Sequence, residues 1–170
     1  MTDRVVVLGA GYAGAGAVTT LEDTLTDADI TWVSEHDYHL VLHEVHRVIR
    51  DPEAEDAITV PVEDIKSSDT TFVQARVDGV DTKNRVVKLG DDSTINYDYL
   101  LIALGSSTAF YGIPGLAEHA HTMKSLDDAR GIHDPVRDAA ADATGGDPAT
   151  VVIGGGGIAG IQIAGEIAGS

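Results

Sequence analysis

Apolar residues in the first part of the chain fall into short runs separated by turns, and their spacing predicts a strand, a helix and a second strand. Residues 4–8 read Arg-Val-Val-Val-Leu before a glycine turn, which is typical of a central parallel strand covered on both faces. Residues 15–24 are rich in Ala and Leu and predict a helix. Residues 30–33 are again apolar and are followed by Ser34 and Glu35. This order predicts a βαβ unit at the start of the chain.

In the middle of the chain the period changes to an alternation of apolar and polar residues, which predicts antiparallel strands. The alternation and the turns at residues 81–84 and 90–92 predict a three-stranded meander over residues 72–95. Residues 97–104 form one more apolar run and predict a further strand.

Three segments predict helices outside the first βαβ unit. Residues 40–49 have a helical interpretation, and a helix start is expected near Val62, after Pro61. Residues 126–143 predict a longer helix, because Ser125 is a favourable N-cap and acidic residues occupy the first turn.

The last part of the chain repeats the pattern of the first. Residues 144–148 are typical of a linker, residues 150–153 predict a strand, and a glycine turn at residues 154–160 leads into a helix from Ile161 to Ala168. A strand and part of a helix cannot bury their own faces. We therefore expect that these residues are the beginning of a second domain, which is truncated here.

The first glycine turn has the spacing of a dinucleotide-binding motif. Gly9, Gly11 and Gly14 fit G-x-G-x-x-G, in which the glycines allow the tight turn, the approach of a pyrophosphate and close packing of helix on sheet. The helix N-terminus then offers N–H groups to phosphates. Glu35 follows the second strand, about twenty residues later, where it can accept hydrogen bonds from ribose hydroxyls. The bare motif is weak, but this strand–turn–helix–strand–acid context predicts a nucleotide site.

A second glycine motif makes the prediction more specific. Gly155, Gly157 and Gly160 repeat the spacing after another apolar run, with a meander and an Ala-Leu-Gly turn between the two motifs. With its segments VVVLGAGYAGAGAVTTLE, INYDYLLIALGSSTAFYGIPG and VVIGGGGIAGIQIAGEIA, the chain resembles the N-terminal portion of type II NADH dehydrogenases (NADH:quinone oxidoreductases). These belong to the two-dinucleotide-binding flavoproteins.

The resemblance implies a fold and a division into domains. We expect an α/β fold, with a Rossmann-like FAD-binding domain that contains a parallel sheet and a three-stranded antiparallel meander. The start of a second Rossmann-like, NAD-binding domain follows. The expected bounds are residues 1–147 and residues 148–170, the second domain being truncated.

The resemblance also implies the site residues and cofactors. The residues expected to bind FAD are Gly9, Gly11, Tyr12, Ala13, Gly14, Glu35, His36, Val77, Ala103, Leu104 and Gly105. Those expected to bind NADH are Gly155, Gly157, Ile158 and Gly160. Two positions depart from the family pattern: Leu104 replaces the threonine of an Ala-Thr-Gly turn, and Gln162 replaces a glutamate of the second helix.

The implied activity is an FAD-dependent oxidoreductase that passes a hydride from NADH to flavin and electrons to a quinone or another acceptor. A ferredoxin or rubredoxin reductase and a sulfide:quinone reductase remain as alternatives of the same class. A non-catalytic nucleotide-binding fragment is the alternative of another class, because the acceptor region would lie beyond residue 170. No catalytic acid or base is assigned, and a homodimer is left open.

Composition excludes several other functions. The chain has 28 acidic and 11 basic residues and a net charge of −17, so it is expected to repel nucleic acid. Acidic residues spread along a lysine-poor chain predict a halophilic, haloarchaeal protein whose self-repulsion is screened by molar salt. An ordinary acidic surface is the alternative. The absence of cysteine excludes disulfides, cysteine-ligated zinc and iron–sulfur clusters from these residues.

Two further features concern location and metals. The chain enters its first strand directly, without a secretory signal, and no window approaches the roughly 20 apolar residues of a membrane span. We expect a cytoplasmic protein, with peripheral attachment to the inner face of the membrane, through regions beyond residue 170, left open. Four histidines would align on a helix, but the segment begins as a loop and lacks H-E-x-x-H, so no metal site is expected. They are His36, His39, His43 and His46, and packing near the flavin or simple surface polarity is expected of them instead.

Overall fold

The apolar run at the start of the chain forms the inner strand of a parallel sheet. The computed structural model describes residues 2–144 and 147–169. The strands of the sheet are β1 (Asp3–Leu8), β2 (Ala28–Ser34), β5 (Thr71–Gln74) and β9 (Tyr99–Ile102), and α1 (Tyr12–Thr24) joins the first two. They lie in the order β5-β2-β1-β9, and each of the three strand pairs is parallel. The predicted βαβ unit and Rossmann-like parallel sheet are confirmed.

Both faces of this sheet are covered, which explains why β1 is apolar without alternation. Val7 and Trp32 pack on one face with Val18 of α1. Val6 and Val33 pack on the other face. Their neighbours there include buried residues of the meander, so one strand supplies side chains to two cores.

The meander consists of the three strands β6 (Val77–Asp81), β7 (Val86–Leu89) and β8 (Thr94–Asn96). They pair antiparallel in the order β6-β7-β8, as predicted. The predicted start at residue 72 is wrong, because residues 71–74 form β5 and pair with β2 in the parallel sheet. β5 is the edge strand of that sheet, and its Phe72 and Val73 are both partly buried, one against each of the two cores.

Contacts divide the chain into two units, of which the first contains residues 1–39 and 60–105. The chain leaves and re-enters it through β3 (Tyr38–Leu40) and β4 (Thr59–Pro61), which pair with each other. A short 3₁₀ helix, Val62–Asp64, stands where a helix start was expected.

The second unit contains residues 40–59 and 106–170 and is helical in its described part. Its elements are 3₁₀ helices Leu42–Ile49 and Pro52–Ala54, and helices α2 (Glu55–Ile58), α3 (Leu116–His119), α4 (Leu126–Asp142) and α5 (Ile158–Ala168). Ser125 caps α4 in a capping box with Asp128, as its sequence predicts. No helix in the described part of the chain is both long and apolar enough to span a membrane.

One local prediction for the second unit is confirmed and another differs from the structure. The helical interpretation of residues 40–49 is confirmed as a 3₁₀ helix over residues 42–49. Residues 150–153 are not assigned to a strand, because none of the described residues forms a ladder with them. A parallel strand needs neighbouring strands for its backbone hydrogen bonds, so its apolar sequence alone does not make it a strand. Part of the predicted linker, residues 145 and 146, lies outside the described residues.

Candidate functional site

The turn after β1 is held from both sides by neighbouring strands. Gly9 has φ +101°, a conformation that favours glycine. Its N–H donates to the carbonyl oxygen of Val33 at 2.7 Å, and its own carbonyl accepts from Trp32 Nε1 at 2.9 Å. A Cβ at this position would collide with the Ala103 carbonyl group, on the β9 side. The sheet therefore fixes the path of the turn.

The other two glycines of this motif differ in what surrounds them. A Cβ on Gly14 would overlap the carbonyl oxygen of Gly9, so the helix can approach the turn only with glycine here. Gly11 has open space where its Cβ would be, and it is the N-cap of α1 without a side-chain cap. The first turn of α1, with Tyr12 and Ala13, can thus present its N–H groups to an anion. This open helix N-terminus fits the pyrophosphate of a dinucleotide.

The acidic residue predicted to contact ribose follows the neighbouring strand. Glu35 comes directly after β2 and is exposed, and its backbone carbonyl accepts from Gln74 Nε2 at 3.3 Å. His36 is also exposed and stacks on Tyr38, with ring centroids 5.1 Å apart. Because β1 and β2 are parallel, Gly11 and Glu35 both lie at the carboxyl edge of the sheet.

The segment that follows β9 reaches the same edge of the sheet. Ala103 extends the pairing of β9 with β1, and its N–H donates to the Leu8 carbonyl at 2.8 Å. Leu104 is 54% exposed, and Gly105 has φ +75°. Val77 is the first residue of β6 and is half-buried. The structure therefore places the Ala-Leu-Gly turn beside the glycine turn, while direct contacts with FAD stay predictions.

One residue at this turn was not among the site residues predicted from the sequence. His39 is only 8% exposed, and its Nδ1 lies 2.8 Å from the Ala10 carbonyl oxygen. Its ring also meets that of Tyr12 edge to face, with centroids 4.7 Å apart. The histidine spacing suggested a helical row, whereas His39 lies in β3. Only its position between apolar neighbours in a short strand could have suggested burial.

The second glycine motif has nearly the same backbone geometry as the first. Gly155 has φ +128°, and a Cβ on Gly160 would overlap its carbonyl oxygen. Gly157 is the N-cap of α5, has open space at its Cβ position, and lacks a side-chain cap. Ile158, the first residue of α5, is exposed. The α5 N-terminus is therefore also suited to bind a pyrophosphate.

A cluster of ionisable side chains surrounds Glu166 of α5. Glu166 Oε1 is 3.7 Å from His46 Nε2, and Glu166 Oε2 is 3.3 Å from Arg50 Nε. Gln162, which stands where the family has a glutamate, donates from Nε2 to the His43 carbonyl at 3.4 Å. Within residues 2–144 and 147–169, no three metal-ligating side chains are grouped so as to hold an ion.

The chain is similar in sequence to known proteins. The family described as pyridine nucleotide-disulphide oxidoreductase matches residues 3–170. A Type II NADH:quinone oxidoreductase of Staphylococcus aureus (strain bovine RF122 / ET3-1) is 30% identical over 172 residues, which cover 96% of this chain and 42% of the relative. This chain thus spans less than half the length of that relative.

Two solved structures are similar in fold. The NADH:rubredoxin oxidoreductase of Clostridium acetobutylicum has a TM-score of 0.73 at 25% identity, covering 99% of this chain and 42% of that one. NDH2 of Plasmodium falciparum in complex with NADH has a TM-score of 0.68 at 20% identity, covering 83% of this chain and 30% of that one.

Proposed function

We propose that this chain, which belongs to the pyridine nucleotide-disulphide oxidoreductase family, is the FAD-holding part of an oxidoreductase that takes electrons from NADH to a quinone. The observation that carries the proposal is the repeated geometry of two glycine turns, each opening an uncapped helix N-terminus. One turn would serve each dinucleotide. The 30% identity to a protein named Type II NADH:quinone oxidoreductase favours a quinone as acceptor.

Family membership assigns FAD and NADH to the chain as its cofactors. We place FAD at the first turn, because the parallel sheet there is complete enough to fix Gly9, Glu35 and Ala103 at one edge. The α1 N-terminus would hold the pyrophosphate, and the Glu35 carboxylate would accept from the adenosine ribose. NADH is placed at Gly155–Gly160, in a second domain that would begin at residue 148.

The chain's own contribution to the reaction is binding and orientation. When bound, the flavin would supply the hydride-accepting and electron-passing chemistry. The described residues would fix the adenosine and pyrophosphate end of FAD, which sets where the reactive ring can lie. No acid or base of this chain needs to act in that role.

The acceptor and the location follow from the proposed activity. A quinone is dissolved in the membrane, so the whole enzyme would work at its cytoplasmic face as a peripheral protein. Rubredoxin is the second candidate acceptor, supported by the 25% identity to a solved NADH:rubredoxin oxidoreductase. The net charge of −17 further supports a halophilic protein, which would hold its cofactor best in molar salt.

Flavin binding can be tested directly on this chain in molar KCl. Adding FAD should quench flavin fluorescence at a stoichiometry near one per chain. Glu35→Ala should raise the Kd for FAD roughly 10- to 100-fold, because hydrogen bonds from ribose to a carboxylate are lost. Asp37→Ala removes another exposed carboxylate two residues away and should leave the Kd unchanged.

The same titration separates the proposal from its main alternatives. A wild-type chain that binds no FAD would contradict an FAD site built by these residues. Equal effects of the two variants would show that only net charge matters and that Glu35 has no ribose contact. Reduction of bound FAD by NADH would show that the chain is more than a nucleotide-binding fragment.

A further inference from the structure

His39 contacts the backbone of the first glycine turn from a buried position. Its Nδ1 is 2.8 Å from the carbonyl oxygen of Ala10, the residue between Gly9 and Gly11. The Tyr12 ring packs edge to face against the imidazole. Since all these residues belong to the first unit, the contact is part of the proposed FAD site's own framework.

The partner of Nδ1 determines where the imidazole carries its proton. A carbonyl oxygen can only accept a hydrogen bond, so Nδ1 must be the donor. In the neutral ring, Nε2 is then without a proton. The contact therefore selects one of the two neutral tautomers, and this consequence can be observed directly.

The same contact orients the next N–H group along the chain. The Ala10 carbonyl and the Gly11 N–H belong to one planar peptide group, and in a trans peptide they point in opposite directions. The described part of the chain has no cis peptide bonds. With the Ala10 oxygen held by His39, the Gly11 N–H must point away from His39. Gly11 is also the residue of the turn with open space beside it.

We propose that His39 is a positioning residue for the pyrophosphate of FAD, because its hydrogen bond to Ala10 holds the Gly11 N–H in a phosphate-binding direction. This rests on the proposed FAD site. Without the contact, the Ala10–Gly11 peptide could rotate and present its carbonyl to the phosphates, which would repel them. Binding then requires ordering the peptide first, and affinity falls.

The first experiment observes the contact without any ligand. The ¹⁵N shifts of the neutral His39 imidazole should show a protonated Nδ1 and a bare Nε2. His39→Asn should keep the donor, since an asparagine amide can replace Nδ1–H. His39→Leu should lose it and shift the Gly11 amide resonance. A ring protonated on Nε2 would overturn the inference even if FAD binds.

The second experiment measures the Kd for FAD of the same proteins. His39→Leu should weaken binding at least roughly tenfold, whereas His39→Asn should remain within about threefold of wild type. Ile30→Ala is the matched control, because Ile30 is buried at the opposite end of β2 and its loss should lower Tm without changing the Kd. Equal Kd values for wild type and both His39 variants would overturn the inference.

The two experiments also separate this inference from the proposed function. A wild-type chain with a protonated Nδ1 that binds no FAD would contradict the proposed function and the role in binding, while the turn contact would stand. FAD binding that weakens equally in His39→Leu and Ile30→Ala would keep the proposed function and reduce His39 to a packing residue.

Discussion

The Asp98 carboxylate accepts three hydrogen bonds from Arg4, from its backbone N–H, Nε and Nη2, each at 3.0 Å. The Asp98 N–H also donates to the Arg4 carbonyl at 2.9 Å. These contacts join the start of β1 to the residue before β9. Since β1 and β9 flank the first glycine turn at their other ends, the pair fixes the register on which that turn depends.

Stability should therefore depend on pH through Asp98. The side-chain and backbone hydrogen bonds from Arg4 lower its pKa to about 2. An unfolded aspartate titrates near 3.9, so the stabilisation should be complete above that pH and lost as the pH falls toward about 2. Thermal unfolding of wild type and Asp98→Asn should give a constant Tm difference above about pH 5 that shrinks below about pH 4.

A matched variant makes this prediction specific. Asp23 is exposed on α1, and Asp23→Asn should give only a small Tm difference from wild type. A Tm gap for Asp98→Asn that persists at pH values near 2 would show that the ion pair is not the source of the stability.

Two glycines of α1 should respond in opposite directions to the same substitution. The methyl group of Gly14→Ala would overlap the Gly9 carbonyl oxygen, so α1 must move away from the turn. This shift should cost about 1–3 kcal/mol of unfolding free energy. Gly16→Ala meets open space and should gain about 0.5–1 kcal/mol, because alanine is the better helix former. Denaturant unfolding measures both values. If Gly14→Ala also stabilised the protein, the helix would not pack against the turn as described.

A buried hydroxyl connects α1 to the start of β5. Thr70 is almost fully buried and donates from Oγ1 to Glu22 Oε1 at 2.5 Å. Burial alone would raise the pKa of Glu22, but the hydrogen bonds from Thr70 and Ser67 outweigh it and lower that pKa. Thr70→Val keeps the shape and removes the donor, so it should cost about 1–2 kcal/mol of unfolding free energy.

Thr71→Val provides the control for this contact, since Thr71 is the exposed neighbour of Thr70 at the start of β5. It should change the unfolding free energy by less than about 0.5 kcal/mol. Equal costs for the two variants would assign the effect to the strand and not to the hydrogen bond with Glu22.

Local pattern was sufficient to predict much of the fold, and the exceptions have physical causes. The apolar run of β1 and the N-cap Ser125 identify their elements, because burial on two faces and helix capping are properties of a few consecutive residues. Assigning β5 requires knowing its partner β2, which lies about forty residues earlier. Residues 150–153 have an apolar strand pattern but form no strand, because a strand also requires neighbouring strands to pair with.

The candidate site shows the same division. Gly9, Gly14 and Glu35 were singled out because their roles depend on the turn and on the strand immediately before them. His39 was not, because its role depends on a contact with Ala10, 29 residues away in sequence. The apolar neighbours of His39 are a local sign of burial, but a segment with three other histidines gives no local sign of whether His39 ligates a metal or holds a backbone carbonyl.

Salt should stabilise this protein by screening its own charge. The net charge of −17 is repulsive in the compact state, and the screening length falls from about 10 Å at 0.1 M to about 3 Å at 1 M salt. Added KCl should therefore raise Tm strongly near pH 7. Near the pI, about 4.4, net repulsion vanishes and the same salt should raise Tm much less. Equal increments at both pH values would contradict screening and point to strengthened apolar burial, which does not depend on net charge.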